Sequence, residues 1–129
     1  MPLLYFNVLE GRTDTELKTM LDAAHRAMLA AFKVPERDRY QIVNEYKPSR
    51  MVVEDTGLGI PRTDKVVVVQ VVSRPRGKEA KQRFYRLLTE ELQKSCGIAP
   101  SDVMVSIVEN TDEDWSFGLG RAQFLEGDI

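Results

Sequence analysis

The chain has 129 residues, 43% hydrophobic and 29% charged, which is the balance of one globular domain with a real core and too little length for two independent ones. Eighteen basic against twenty acidic side chains leave a net charge of −2, so there is no broad positive field for nucleic acid or an anionic membrane, and any anion site must be local. The single cysteine, Cys96, has no partner for an intramolecular disulfide or a zinc cluster.

The opening Met1 to Phe6 lacks the charged and long apolar regions of a signal peptide, and no run approaches the ~20 apolar residues that span a bilayer. A soluble cytoplasmic protein is expected. Leu3 to Leu9 reads as a first strand, closed by the turn signal Glu10-Gly11-Arg12. Thr13 stands three residues before Glu16, the capping-box spacing, and predicts a helix start. Leu17, Met20, Leu21, Ala24, Met28 and Ala31 then recur at helical spacing to about Phe32, with Pro35 barring any continuation. Tyr40 to Val43 reads as a second strand, Met51 to Val53 as a short third, and Asp55 to Pro61 as loop.

The second half repeats this order. Val66 to Val72 is almost uninterruptedly apolar, the pattern of a strand covered on both faces. Lys78 to Lys94 predicts a helix burying Phe84, Leu87, Leu88 and Leu92, stopped by Gly97, and Val103 to Val108 predicts the next strand. A shift of 64 residues superposes both helices, brings the segment ending in Asp38 near the segment ending in Asp102, and lays Glu45 on Glu109. The expected fold is α/β (α+β): two tandem βαβ units, about residues 2–64 and 65–129, in a single domain. They would share one four-stranded sheet with both helices on one face. The other face, apolar and bare, calls for packing on other subunits in a closed homo-oligomer.

Four groups of residues offer chemistry. Pro2 becomes a free secondary amine if Met1 is removed, and such an amine can be tuned as acid or base near neutrality; with Met1 in place its nitrogen is a tertiary amide. Arg74 and Arg76 flank Pro75 after the most apolar strand, where their spacing lets two guanidiniums clamp a carboxylate; taken alone they read more simply as solvated loop arginines. Asp38, between Arg37 and Arg39, reads alone as a surface ion pair. Trp115, Phe117, Phe124 and Ile129 lie in a Gly-containing tail too irregular for a helix, and could wall a pocket or pack a subunit contact. His25 has no second histidine with which to build a metal site and is read as structural. Cys96 and the Gly118-Leu119-Gly120 run lack the surroundings of a reactive thiolate or a phosphate loop.

Pro2, the βαβ repeat and the bare sheet face together resemble the tautomerase superfamily. Within it, Leu21–Met28, Phe32–Val43 and Asp114–Leu125 look like the malonate semialdehyde decarboxylases, a likeness covering nearly the whole chain. The resemblance places the family's amino-terminal proline on Pro2, its acidic partner on Asp38, its carboxylate-binding arginines on Arg74 and Arg76, and its hydrophobic wall on Trp115, Phe117, Phe124 and, with a leucine-to-isoleucine change, Ile129. It implies a homotrimeric enzyme without cofactor or metal that converts malonate semialdehyde to acetaldehyde and carbon dioxide in haloacrylate degradation. Hydratase activity is expected beside it. Two alternatives stand: a tautomerase or hydratase of another small 2-oxo or unsaturated acid, and a non-catalytic carboxylate-binding trimer that keeps Met1.

Overall fold

The computed structural model describes residues 1–129. Strand β1 (Leu3–Leu9), helix α1 (Asp14–Phe32) and strand β2 (Tyr40–Tyr46) form the first unit. Strand β3 (Val67–Ser73), helix α2 (Lys78–Cys96) and strand β4 (Val103–Glu109) form the second, and a one-turn helix α3 (Gln123–Glu126) lies in the tail. Elements β3 and α2 begin and end 64 residues after β1 and α1, so the repeat is structural. The sheet order is β2-β1-β3-β4, parallel within each unit and antiparallel at the central β1/β3 seam.

The helix ends follow local chemistry. Thr13 Oγ1 accepts the Glu16 N–H at 3.1 Å while Glu16 accepts the Thr13 N–H at 2.9 Å, closing the capping box. Lys33 ends α1 in the left-handed region with φ 53°, two residues before Pro35. Gly97 ends α2 the same way at the equivalent position, with φ 67°, where glycine adopts that backbone without strain. Alanines 23, 24, 27 and 31 give α1 a low surface on which Phe84, Leu88 and Leu92 of α2 settle, all buried. Phe32 stacks on Phe84 with ring centres 5.1 Å apart. Beneath the helices, Leu4, Phe6, Val8, Val67, Val69 and Val71 alternate inward from the two central strands.

Three expectations change. Met51–Val53 is no strand: it follows a 3-10 turn at Pro48–Arg50, pairs with no strand of the sheet, and leaves Val52 82% exposed. Its β-prone composition has no ladder to join. The tail does contain a helical turn, α3, where Gln123 ties it back onto Phe117 and Gly118. The open sheet face is not uniformly apolar, because Asn7 donates to Val68 O and Gln70 Oε1 and accepts from Asn44 and Tyr46 at its centre. Around that polar node lie the exposed Tyr40, Ile42, Met104 and Val108. A groove of about 830 Å³ runs over this face beneath the Arg50–Arg62 loop.

Candidate active site at the head of the first strand

Strand pairing assembles the site. Leu3 pairs with Tyr40 in the parallel β1/β2 ladder and with Val72 in the antiparallel β1/β3 ladder. The head of β1 therefore meets both the approach to β2, which carries Asp38, and the exit of β3, which carries Arg74 and Arg76. Residues 36 and more positions apart become neighbours because β1 is central.

The amine here is that of Met1, 3.3 Å from Asp38 Oδ2, while Pro2 is buried with its nitrogen in an amide bond. At this distance the contact is an ion pair without the alignment of a hydrogen bond, and Asp38 Oδ2 has no other partner. Burial is the largest influence on the amine and holds its pKa below the usual α-amine range; Asp38 opposes, and Arg76 and Arg74 add to the depression. Asp38 is 7% exposed and ignores its flanking arginines, which corrects the surface-pair reading. Arg39 turns away to Asp22 at 2.7 Å. Asp22, hydrogen-bonded first by Lys18 and then by Arg39, is held down at about 2.

The two arginines converge for a reason other than strand alternation, since β3 stops at Ser73 and both lie in the following loop. Arg74 rests over the Phe124 ring at 4.0 Å and gives Nη1 to Asp112 Oδ1 at 2.9 Å. Arg76 lies over the Phe32 ring at 5.3 Å, donates Nε–H to Ser73 Oγ at 2.9 Å, and its backbone N–H is held by Glu109 Oε2 at 2.9 Å. Arg74 Nε and Arg76 Nη2 are both buried without a partner. Burial, then the like charge of Arg74, lowers the Arg76 pKa, with Asp38 opposing. Two neighbouring guanidiniums, each with one buried and unused donor, are chemically able to hold an anion.

A cavity of about 250 Å³ opens beside the amine, lined by Met1, Asp38, Tyr40, Phe117, Gln123 and Ile129 among others. The larger groove on the open sheet face lies elsewhere and contains neither the amine nor Asp38. Phe117 is the hub of the wall: Trp115 stacks on it at 5.5 Å, Tyr40 at 5.8 Å, and Phe124 meets it edge-on at 5.3 Å. Trp115 Nε1 donates to Asn110 at 2.7 Å. Ile129 lines the cavity while staying 65% exposed, at its rim. No group of three or more His, Cys, Asp or Glu side chains comes together as a metal cage.

All eight residues singled out in the sequence thus fall in one region. Tyr40, Ser73, Glu109 and Gln123 were missed, although the repeat that lays Glu45 on Glu109 had already drawn attention to the end of β4. His25 is buried, with Nε2 2.8 Å from Glu36 O, bracing the turn that carries Asp38. The second repeat holds a tied-off counterpart: Asp102, 1% exposed, accepts both the backbone N–H and the hydroxyl of Thr63. There the chain runs continuously into β3, and the aspartate fastens backbone instead of facing an amine.

The tandem βαβ fold, with a half-buried terminal amine facing a carboxylate at the head of its first strand, matches the tautomerase superfamily of enzymes. Sequence comparison agrees, since two family profiles described as tautomerase enzyme match residues 2–61 and 38–118. The chain belongs to the tautomerase family. It is 56% identical over 129 residues, the whole of both chains, to the probable tautomerase YrdN of Bacillus subtilis (strain 168). Among solved structures it is similar to a malonate semialdehyde decarboxylase described with decarboxylase and hydratase activities, at 57% identity and a TM-score of 0.97 over 98% of each chain. It is also similar to the FG41 malonate semialdehyde decarboxylase inhibited by 3-bromopropiolate, at 38% identity and a TM-score of 0.94 over 98% of this chain and 97% of that one.

Proposed function

We propose that this protein is a cofactor-independent decarboxylase of malonate semialdehyde (3-oxopropanoate), releasing acetaldehyde and carbon dioxide. The carrying observation is that the terminal amine and Asp38 face each other in one small apolar-walled cavity, with Arg76 and Arg74 near enough to lower the amine's pKa. The likeness to malonate semialdehyde decarboxylase along the full chain supports the choice of substrate.

Initiator methionine is followed by proline, and its removal makes Pro2 the terminal secondary amine beside Asp38. In the proposed reaction Arg74 and Arg76 hold the substrate carboxylate with its C–C bond turned out of the carbonyl plane. That bond breaks, its electron pair flows into the carbonyl, and carbon dioxide leaves. Protonated Pro2, held by Asp38, stabilises the enolate oxygen, and a proton delivered to carbon completes acetaldehyde. An iminium formed between Pro2 and the aldehyde would serve as the same electron sink. The wall of Trp115, Phe117, Phe124 and Ile129 keeps water out, which favours loss of a charged group as neutral carbon dioxide.

The open sheet face supports assembly as a homotrimer. Its exposed Tyr40, Ile42, Met104 and Val108 surround the Asn7 node, and a fold relative is a symmetric trimer.

The test is carbon dioxide release from 3-oxopropanoate by protein whose intact mass shows Met1 absent. Turnover is expected, and Asp38→Asn should lower kcat by about 10²- to 10⁴-fold. Processed protein that releases none would overturn the assignment. A second reading, a tautomerase or hydratase of another small 2-oxo or unsaturated acid, is favoured by the probable-tautomerase relative; faster ketonisation of phenylenolpyruvate than decarboxylation of 3-oxopropanoate would select it. A third reading, a non-catalytic carboxylate-binding trimer, draws on the Met1 amine already seated at Asp38. It predicts ligand-induced stabilisation without turnover.

A further inference from the structure

The two guanidiniums are not equivalent. Arg74 already has a carboxylate partner, Asp112, and sits over the Phe124 ring. Arg76 has no side-chain carboxylate within bonding distance; its Nε is taken by the Ser73 hydroxyl and its Nη2 is buried and unpaired. Ser73 itself is fully buried at the end of β3. Its hydroxyl has one hydrogen, and that hydrogen is committed to Arg74 O at 2.8 Å. The oxygen must therefore present a lone pair toward Arg76, and a planar guanidinium held at Nε has its remaining donors fixed in direction.

We propose that Ser73 is a positioning residue for substrate recognition: its hydroxyl, oriented by the Arg74 carbonyl, locks the Arg76 guanidinium so that Nη2 faces the substrate carboxylate. Glu109 acts with it from the backbone side, holding the Arg76 N–H while paired to Lys81 at 3.0 Å. Side chain and main chain of Arg76 are thus fixed by two strands that are themselves in register. This assignment rests on the carboxylate-clamp part of the functional reading and is independent of which bond the enzyme breaks.

The experiment is a double-mutant cycle read by binding of propanoate, a carboxylate without the reactive carbonyl. Ser73→Ala is expected to weaken propanoate about tenfold or more. Arg76→Ala should weaken it at least as much, and the double variant no further than Arg76→Ala alone, because Ser73 acts through Arg76. Ser73→Thr keeps the hydroxyl and should bind within about threefold of the parent, which guards against a folding defect in the alanine variant. With 3-oxopropanoate the loss in Ser73→Ala should fall on KM more than on kcat, whereas a merely structural role would lower Tm and the active fraction and leave KM unmoved. Additive losses in the cycle, or unchanged propanoate affinity in a folded Ser73→Ala, would overturn the proposal, as would failure of the parent to bind propanoate. Propanoate binding with the expected cycle but no carbon dioxide release would sink the decarboxylase reading and leave Ser73 in its role.

Discussion

Ser73 and Glu109 are register partners at the ends of β3 and β4, and both terminate on Arg76, one through its side chain and one through its backbone. The sheet edge thereby sets the direction of a guanidinium that lies beyond the last strand residue. Substrate recognition in this reading depends on strand register as much as on the arginines.

Acidification should separate the two supports of Arg76. The Arg76 N–H first, and then Lys81, hold the Glu109 carboxyl below its ordinary value of 4.5. A carboxyl depressed in the fold contributes stability that is present above its unfolded value and is lost as pH falls through the folded one. The Tm difference between the parent and Glu109→Gln should therefore narrow as pH drops below about 4.5. Melting curves across that range check it, and a difference that does not change with pH would contradict it.

In the proposed clamp, Asp112 is the group with which substrate has to compete for Arg74. Their 2.9 Å ion pair is half-exposed, so it is worth about 0–1 kcal/mol. Asp112→Asn should accordingly tighten carboxylate binding by up to about fivefold at low salt, and the gain should fade as salt is added. Titration of propanoate at two ionic strengths measures this; weaker binding in the variant would contradict it.

Gln123 carries the hydrophobic wall. It accepts the Phe117 N–H and donates to Gly118 O, both at 2.9 Å, and it lines the cavity. Gln123→Leu keeps the bulk and removes both bonds, at a cost of about 1 kcal/mol each. Substrate KM should rise about tenfold. Because Trp115 is the sole tryptophan and stacks on Phe117, its fluorescence should change on ligand binding in the parent and change much less in the variant.

Ile42 lies on the open face of β2 at 43% exposure. In the proposed trimer a charge there would be buried against a neighbouring copy, so Ile42→Asp should sediment as a monomer while keeping its helical circular dichroism. A variant that still sediments as a trimer would move the subunit contact off this face.

Local order was legible in the chain because it is governed by near neighbours. The Thr13–Glu16 capping box, the apolar run from Val66 and the stop at Gly97 each act within a few residues, and each appears where the pattern put it. The repeat supplied the two units and, with them, the sheet. Met51–Val53 misled because β-propensity states that a segment suits a pleated surface, not that a partner strand is available.

By itself the sequence determined the elements, their duplication at 64 residues, and the residue types able to hold an anion beside an amine. Only the tertiary structure decided that Asp38 would be buried facing that amine while its counterpart Asp102 fastens Thr63. It alone decided that Arg74 would pair with Asp112 while Arg76 has no carboxylate partner, and that Ser73, Glu109 and Gln123 would bond to Arg76 and the tail. The physical reason is that a hydrogen bond or ion pair depends on placing two groups to within a few tenths of an ångström, here between residues far apart in the chain. Those distances are set by strand order and register, which exist only once the sheet has closed around β1.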